Sequence, residues 1–324
     1  MLIRRSRNIR LFGQPPDIHT RSSPPPSKNF SASLGQRKYG WQSNKRVRET
    51  CAMAVKFERY ARRAGSETSE ISGANTPVLL VHGMGSADTV WKPIIPALQE
   101  FSDVITCLLP GHGGNPLDPR VEMDPYSLAA HLHDEMAKEG IESVHLVGNS
   151  LGGWIVLEFA SHFPARVRSV TALAPAGLWL HPFFFRVPGT DAAKRIANRT
   201  NKFAHIGLRL GVAQKLGFSR VSPRWREISY ETMLDATRAM AQSDGYYPAW
   251  DAFLDKRFDS PIDSTIPITV LFGDKDRALP AKTCQERSLV SAHARWVILE
   301  NTGHAPMWDS PKEVIAEISR NVLR

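Results

Sequence analysis

Three short segments of the chain hold side chains that could together carry out acyl transfer. Residues 148–152 read Gly-Asn-Ser-Leu-Gly, residues 273–276 read Gly-Asp-Lys-Asp, and residues 301–304 read Asn-Thr-Gly-His. A serine hydroxyl is a weak nucleophile until a histidine accepts its proton and a carboxylate orients that histidine. The sequence therefore predicts Ser150 as a nucleophile and His304 as its base.

Ser150 lies between a predicted strand and a predicted helix. The apolar run Val144–Val147 precedes it, and a helical stretch that includes Trp154–Leu157 follows it. The small neighbours Gly148 and Gly152 let the backbone turn tightly, which leaves the serine hydroxyl exposed. The positive end of the following helix would then face an oxyanion on the substrate. A serine that merely caps this helix is the alternative interpretation.

Two aspartates compete for the role of orienting His304. Asp274 and Asp276 both follow the predicted strand Ile268–Phe272, and His304 follows the last predicted strand. Loops at the carboxyl ends of parallel strands meet at one edge of a sheet, so both carboxylates are candidates. We favour Asp276 because it lies farther from the end of its strand. Asp274 is then expected to be a turn former.

Two backbone amides are expected to bind the oxyanion. Leu151 directly follows the nucleophile, and residues 82–85, which read His-Gly-Met-Gly, follow the first predicted strand. The glycines allow this second backbone segment to approach the substrate closely. We assign the second amide to Met84, with Gly85 as the alternative, and we expect His82 to be structural.

Apolar runs and helical patterns alternate along the chain from about residue 55. Six runs rich in Val, Ile and Leu are predicted as buried strands: Val78–Val81, Val104–Leu109, Val144–Val147, Val167–Leu173, Ile268–Phe272 and Trp296–Leu299. Helices are predicted at about 127–139, after Ser150, from about Pro280 and from about residue 310. This alternation predicts an α/β fold with a mostly parallel central sheet flanked by helices.

The alternation stops between residues 178 and 262. This stretch contains no convincing strand, but helical patterns lie around 192–215 and 226–242. We interpret residues 178–262 as a helical cap inserted into a core formed by residues 53–177 and 263–324.

The excess positive charge lies at the N-terminus. Residues 1–50 contain eleven Lys or Arg and two acidic residues, which accounts for the whole net charge of +9. The rest of the chain is neutral, so the basic balance does not indicate a nucleic-acid partner for the predicted core. Residues 1–52 lack apolar periodicity, and we expect a disordered basic extension. Their Arg, Ser and Pro content also resembles an organellar transit peptide.

The cysteine content indicates a reducing compartment. Cys51, Cys107 and Cys284 are too few for a disulfide framework, and none lies in a turn that would activate a thiol. No apolar stretch reaches the roughly 18 residues of a membrane-spanning helix. We therefore expect a cytoplasmic protein without a membrane span, or an organellar one if the extension is a transit peptide.

Together the motifs resemble the α/β-hydrolase superfamily. They are His82-Gly83, the segment around Ser150, the segment 273–276 and Gly303-His304, and the likeness covers residues 57–323. The resemblance implies the α/β-hydrolase fold, with the chain order Ser150, Asp276, His304. The Gly-Asn-Ser-x-Gly-Gly motif is similar to those of carboxylesterases and of hydrolases that cleave carbon–carbon bonds in meta-cleavage products.

Individual residues argue against some members of this superfamily. Its haloalkane dehalogenases and epoxide hydrolases use an aspartate nucleophile, whereas this chain has Ser150. Some of its lipases place the acid after the strand that precedes the cap, but residues 174–177 read Ala-Pro-Ala-Gly, which supports Asp276. Meta-cleavage-product hydrolases usually carry a tryptophan after the histidine, where this chain has Ala305.

The predicted cap is rich in aromatic residues. Residues 178–262 hold 13 of the 28 in the chain. A cap of this composition would exclude water and favour apolar acyl or alcohol groups, although ordinary packing on the core is the alternative. Candidate pocket residues are Gly85, Asn149, Trp179 and Phe184. No metal-spaced cluster of His, Cys, Asp or Glu is seen, so neither a metal nor an organic cofactor is expected.

The sequence therefore predicts a serine hydrolase that cleaves a carboxylic ester or related acyl substrate through an acyl-enzyme on Ser150. Three alternatives stand beside this prediction: a carbon–carbon bond hydrolase acting on a diketone-like acid, a cofactor-free perhydrolase or acyltransferase, and a hydrolase-fold protein that binds a ligand without catalysis. The expected partner is a small, apolar acyl compound, and nothing in the sequence indicates an oligomeric state.

Overall fold

The computed structural model describes residues 55–63, 76–183, 185–186 and 190–324. The predicted extension of residues 1–52 and the predicted pocket residue Phe184 lie outside the described residues, as does Cys51.

Within the described ranges, seven strands form one sheet. In chain order they are β1 (Lys56–Tyr60), β2 (Val78–Val81), β3 (Val104–Leu108), β4 (Val144–Asn149), β5 (Val167–Leu173), β6 (Ile268–Gly273) and β7 (Arg295–Leu299). Their order across the sheet is β1-β3-β2-β4-β5-β6-β7, and all neighbours are parallel except β1 and β3. Strands β2, β4 and β6 are buried along their whole length, as expected for continuous apolar runs in a parallel sheet.

Strand β1 was missed in the sequence analysis, which predicted the other six strands. Its sequence, Lys-Phe-Glu-Arg-Tyr, mixes charged and aromatic residues, and three of its five residues are exposed. An antiparallel strand at the edge of a sheet keeps contact with water, so it does not produce the continuous apolar run used to find the others.

The helices of the described residues alternate with the strands on both sides of the sheet. In chain order they are α1 (Ile95–Leu98), α2 (Pro125–Lys138), α3 (Leu151–His162), α4 (Thr190–Thr200), α5 (Ala204–Gly207), α6 (Gly211–Phe218), α7 (Tyr230–Ala241), α8 (Tyr246–Phe253), α9 (Ala281–Cys284), α10 (Pro306–Asp309) and α11 (Pro311–Val322). Helices α4 to α8 lie between β5 and β6. We call this segment, residues 174–267, the helical insertion.

The helical pattern around 192–215 contains the three helices α4, α5 and α6. One helix prediction needs correction. The helix predicted from about Pro280 is a single turn, α9, because the N–H of Glu286 donates to the carbonyl oxygen of Leu178 at 2.8 Å and leaves the helical path. Helix α8 was not predicted.

Apolar layers cover both faces of the sheet. Leu79 and Val81 of β2 pack with α2 and α3 on one face, whereas Val78 and Leu80 pack with α1 and α11 on the other. Successive strand residues point to opposite faces, so a fully apolar strand serves both layers. The loops that hold the predicted site residues follow β2, β4, β6 and β7, and they meet at the carboxyl edge of the sheet.

Candidate active site

Ser150 occupies the sharp turn between β4 and α3. Its φ and ψ angles are 57° and −117°, a region that residues with a side chain rarely adopt. Its N–H donates to the carbonyl oxygen of Leu173 at 3.0 Å, and its own carbonyl accepts from the N–H of Ala176 at 2.9 Å. Backbone bonds to β5 and to the loop after it therefore hold a strained turn of the kind that projects a nucleophile.

The glycines on either side of Ser150 are required by close backbone contacts. A Cβ atom at Gly148 would overlap the carbonyl oxygen of Gly152. A Cβ atom at Gly152 would overlap the carbonyl oxygen of Val81, at the end of β2. Only glycine fits at both positions, which explains the Gly-x-Ser-x-Gly pattern in terms of packing.

Two hydrogen bonds connect the three predicted residues in a chain. His304 Nε2 lies 2.9 Å from Ser150 Oγ, and His304 Nδ1 lies 2.8 Å from Asp276 Oδ2. The second oxygen of Asp276 accepts hydrogen bonds from the N–H groups of Ala278 and Leu279, each at 2.8 Å. The Asp276 side chain is 1% exposed and that of His304 14%, so the pair is largely shielded from water.

Asp274, the competing acid, has different partners. Its carboxylate contacts Lys275 Nζ at 2.7 Å and accepts from the N–H of Thr302 at 3.2 Å. The hydrogen bond from Lys275 is the main cause that lowers its pKa. Asp274 therefore supports the loop that leads to His304, while Asp276 is the carboxylate bonded to the imidazole.

A third acid, Asp309, holds the histidine loop and was not predicted from the sequence. One oxygen accepts from the N–H of Gly303 at 2.7 Å, and the other accepts from the hydroxyl of Ser222. The N–H of His304 itself donates to the carbonyl oxygen of Val221 at 2.7 Å. Val221 and Ser222 belong to the helical insertion, so the insertion and α10 together fix this loop. Burial raises the pKa of Asp309.

The loop after β2 lies directly against Ser150. A Cβ atom placed on Gly83 would be 3.0 Å from the Cβ atom of Ser150. Within the described part of the chain, neither the N–H of Met84 nor that of Leu151 donates a hydrogen bond to another residue. Leu151 directly follows the serine, and Met84 directly follows Gly83, so two amides without a partner there lie next to residues at the site, as an oxyanion-binding amide requires.

Gly85 faces the helical insertion. Its φ is +69°, and a Cβ atom there would lie 2.7 Å from Met240 Sδ and 3.0 Å from the ring of Tyr246. The end of α7 and the start of α8 therefore lie over the loop after β2. The predicted pocket residue Gly85 therefore lies between the loop after β2 and the insertion.

His82 and His112 are buried behind the site. His82 Nδ1 lies 2.8 Å from the carbonyl oxygen of Gly83, and its Nε2 accepts from the N–H of Leu109 at 3.1 Å. Burial lowers the pKa of His82 to about 3 and that of His112 to about 4. Both rings are neutral at physiological pH. His82 fixes the loop after β2, and His112, whose Nδ1 lies 2.9 Å from the carbonyl oxygen of Pro110, fixes the loop after β3.

Two predicted pocket residues have structural partners instead. The side-chain amide of Asn149 donates to the carbonyl oxygens of Leu173 and His304, each at 3.1 Å. Trp179 packs edge-on against Trp154 at a centroid distance of 5.2 Å, and its Nε1–H donates to the carbonyl oxygen of Lys256 at 2.8 Å. Asn149 therefore positions the histidine loop, and Trp179 packs on the helix that begins after Ser150.

Other kinds of site find little support in the described residues. No cluster of three or more His, Cys, Asp or Glu residues there is arranged to hold a metal ion. None of the described helices combines the length and apolar character needed to cross a membrane. Cys107 and Cys284 are free and buried, and burial raises the pKa of both thiols, which argues against either as a nucleophile.

Sequence comparison finds relatives among hydrolases. An epoxide hydrolase of Mycobacterium tuberculosis, EphH, is 31% identical over 202 residues, covering 58% of this chain and 89% of the relative. Lipase 3 of a Moraxella species is 23% identical over 253 residues, covering 76% and 77%. The 2-hydroxy-6-oxo-2,4-heptadienoate hydrolase of Pseudomonas putida is 35% identical over 109 residues, covering 33% and 40%.

Solved structures share the fold, and a family model matches most of the chain. A thermophilic esterase from Thermogutta terrifontis is similar with a TM-score of 0.60 and 21% identity, covering 83% of this chain and 94% of that one. An enol-lactonase from Burkholderia xenovorans has a TM-score of 0.62 and 16% identity, covering 83% and 96%. The model of the alpha/beta hydrolase family matches residues 78–318. This chain therefore belongs to the alpha/beta hydrolase family and is a hydrolase.

Proposed function

We propose that this protein is a serine hydrolase that cleaves a carboxylic ester or related acyl substrate through an acyl-enzyme on Ser150. The observation that carries the proposal is the hydrogen-bonded chain from Ser150 Oγ through His304 to Asp276. It begins on a strained turn that exposes the hydroxyl at the edge of the sheet. A serine that merely capped α3 would not need a buried imidazole and carboxylate aligned behind it.

In the acylation half-reaction, Ser150 Oγ attacks the ester carbonyl carbon while His304 Nε2 accepts the hydroxyl proton. Asp276 keeps the Nδ1–H of His304 in place and stabilises the imidazolium that forms. The tetrahedral intermediate then collapses, and His304 returns the proton to the leaving alkoxide. The products of this half-reaction are the free alcohol and the acyl group bound to Ser150 Oγ.

The oxyanion of the intermediate would be bound by the N–H groups of Leu151 and Met84. Leu151 is the first residue of α3, so the positive end of that helix adds to the stabilisation. Each such donor is typically worth about 3–4 kcal/mol in the transition state. The approach of Gly83 to Ser150 supports a role for its loop in forming this pocket.

In the deacylation half-reaction, water replaces the alcohol. His304 Nε2 accepts a proton from the water while the water oxygen attacks the acyl carbon. His304 then gives this proton to Ser150 Oγ as the bond between Oγ and the acyl carbon breaks and the acid leaves. Both half-reactions use only groups of this chain, the ester and water. Acyl transfer to peroxide or to an alcohol would follow the same route with another nucleophile in place of water.

The helical insertion is proposed as a cap, with the boundaries 178–262 expected from the sequence. Met240 and Tyr246 approach Gly85 in the proposed oxyanion loop and would form an apolar wall of the substrate pocket. Such a wall would exclude water from the acyl group and favour apolar chains. We expect the acyl or alcohol part of the substrate to contact Met240.

The relatives are consistent with ester chemistry but differ among themselves. The epoxide hydrolase relative indicates shared ancestry, but Ser150 suits acyl chemistry rather than the aspartate-based attack expected for epoxides. The similarity to a 2-hydroxy-6-oxo-2,4-heptadienoate hydrolase keeps carbon–carbon bond cleavage as a second candidate. That reaction would use the same Ser150 and His304, although Ala305 replaces the tryptophan usual in that group.

Hydrolysis of p-nitrophenyl esters of graded chain length tests the proposal. We expect wild-type protein to hydrolyse them, and Ser150→Ala to lose roughly 10⁴-fold or more of kcat/KM. Ser264→Ala, at an exposed serine of the helical insertion, is the matched control and should retain full activity. Activity retained in Ser150→Ala would refute the proposal. A wild-type protein inactive on every ester but active on a meta-cleavage product would favour the second candidate.

A further inference from the structure

The outer helices of the insertion expose large apolar side chains. Of the ten such exposed residues among those the structure describes, six lie within residues 196–216, and each is 57–80% exposed: Ile196, Phe203, Ile206, Leu210, Val212 and Leu216. Single exposed apolar residues are ordinary on a protein surface, but six within 21 residues are typical of an interaction surface.

The outer helices of the insertion are α4, α5 and α6, and helix α7 lies beneath α4 and α5. The ammonium of Lys194 in α4 donates to the carbonyl oxygens of Met240 and Ala241, at 2.8 Å and 3.1 Å, at the end of α7. Leu208 after α5 and Phe218 of α6 pack with Met233 of α7. One side of each outer helix is therefore committed to the protein interior.

The exposed apolar residues lie on the opposite sides of the outer helices. Val212 and Leu216 are four residues apart within α6, so they share one face of that helix. Ile206 lies in α5, and Leu210 lies in the connection between α5 and α6. Helices α4 and α5 pack on α7, and Phe218 of α6 belongs to the same buried cluster as Met233 of α7, so the exposed faces of the three helices turn away from this common core. We call this layer, formed by the six exposed residues named above and the side chains between them, the outer surface.

The outer surface is also strongly basic. Residues 190–220 contain seven Lys or Arg and one acidic residue, Asp191. Lys194 is buried, but the other six basic residues are exposed and alternate with the apolar ones: Arg195, Arg199, Lys202, Arg209, Lys215 and Arg220. Exposed apolar side chains interleaved with cations are the pattern of segments that lie in the interface of an anionic membrane.

We propose that the outer surface docks on an anionic lipid bilayer. The apolar side chains would enter the boundary between headgroups and acyl chains, and the arginines and lysines would contact lipid phosphates. A second copy of the chain fits less well, because a twofold contact would bring two surfaces of the same positive sign together. The N-terminal segment is an equally poor occupant, since residues 1–50 carry a net charge of +9.

Docking would place the bilayer beside the proposed catalytic site. Met240 of α7 lies against Gly85, two residues after Gly83, which approaches Ser150. The outer helices α4 and α5 also pack on α7. An ester dissolved in the bilayer would then need to pass only the helical insertion to reach Ser150. This preference for a lipid-dissolved ester rests on the proposed function, whereas the docking itself does not.

Vesicle flotation with the full chain tests the docking. The vesicles are phosphatidylcholine alone and phosphatidylcholine mixed with phosphatidylglycerol. We expect binding only to the anionic vesicles, and binding that weakens as salt is added. Combined replacement of Ile206, Leu210 and Leu216 by serine should weaken binding about 100-fold. Combined replacement of Arg199, Arg209 and Lys215 by glutamine should also weaken it by about 100-fold.

Controls separate the outer surface from other contributions. Ile298→Ser removes an exposed apolar residue of β7, outside this surface, and should bind as wild type does. All variants keep residues 1–54. If both triple variants bind vesicles as wild type does, another part of the chain is responsible for binding, and the proposal is overturned. Equal binding to neutral vesicles, or a wild-type dimer that the serine variant converts to monomer, would overturn it as well. Ser150→Ala should bind vesicles fully while losing ester hydrolysis, which keeps failure of docking distinct from failure of the proposed function.

Discussion

The backbone N–H of His304 donates a hydrogen bond to the carbonyl oxygen of Val221 at 2.7 Å. Val221 belongs to the helical insertion, whereas Ser150 and Asp276 are held by loops of the sheet. The proposed base is therefore positioned from two sides, by the core through Asp276 and by the insertion through Val221. Mutations in the insertion can thus alter the chemical step without touching the substrate.

Asp309 provides the most direct test of this positioning. Asp309→Asn removes one of the two acceptors that hold Gly303 and Ser222, so the histidine loop should loosen. We expect kcat to fall about 10- to 100-fold with little change in KM, because a small displacement of a proposed base affects the transition state more than binding. Ser222→Ala, which leaves the bond to Gly303 in place, should lose less. Unchanged kcat together with a lower melting temperature would reduce Asp309 to a purely structural role.

The two loop aspartates form a matched pair for mutagenesis. Asp276→Asn should lower kcat about 10⁴-fold, because an amide cannot fix the correct tautomer of His304 or stabilise its charged form. Asp274→Asn should remain within about threefold of wild type, since its partners are Lys275 and the N–H of Thr302. Steady-state ester hydrolysis by both variants measures the difference. The opposite ranking would show that Asp274 is the functional acid.

Gly85 and Met240 test the proposed acyl pocket. Gly85→Ala introduces a Cβ atom that would lie 2.7 Å from Met240 Sδ, at a φ of +69°. We expect a loss of about 1–2 kcal/mol in the free energy of unfolding and a shift of ester preference toward shorter acyl chains. Met240→Ala should shift the preference toward longer acyl chains. In the double variant Gly85→Ala/Met240→Ala, hydrolysis of the longer-chain esters should be partly restored. A chain-length profile unaffected by either change would place the acyl group elsewhere.

Stability should fall as the pH drops below about 6.5. Burial lowers the pKa of His82 to about 3 and that of His112 to about 4, whereas both rings titrate near 6.5 once unfolded. Between these values the unfolded chain binds protons that the folded chain does not, so the free energy of unfolding rises with pH. The expected slope is about 1.4 kcal/mol per pH unit for each histidine.

Urea unfolding at several pH values, with His82→Gln for comparison, measures this contribution. Glutamine keeps a polar group at the position but does not titrate, so the slope between about pH 6.5 and about pH 4 should fall by roughly half. An identical slope in both proteins would mean that His82 does not contribute to the acid sensitivity.

Most of the sheet and the proposed catalytic residues could be predicted from the sequence because their patterns are local. Continuous apolar runs mark parallel strands, and the Gly-x-Ser-x-Gly pattern marks the turn at Ser150, although the contact that requires Gly152 is with Val81 of β2. The choice of Asp276 over Asp274 used only loop length, and the hydrogen bond to His304 agrees with it. Strand β1 was not predicted because this exposed edge strand has no continuous apolar run.

Features that depend on distant contacts could not be predicted. Asp309 gains its role because Ser222, 87 residues earlier, is brought next to it. Asn149 was expected to line the pocket, but its amide instead binds the carbonyl oxygen of His304, 155 residues away. The outer surface was also missed, since short helices do not reveal from sequence which of their faces meets α7.

Mapping a phosphonate adduct shows which serine is the nucleophile and whether His304 activates it. The full chain is treated with a fluorophosphonate, digested, and analysed by mass spectrometry. We predict one adduct on the peptide that contains Ser150, none there in Ser150→Ala, and labelling of His304→Ala that is slower by about 10³-fold or more. An adduct on another serine, or labelling of Ser150 at the same rate without His304, would contradict the account of a nucleophile activated by this histidine.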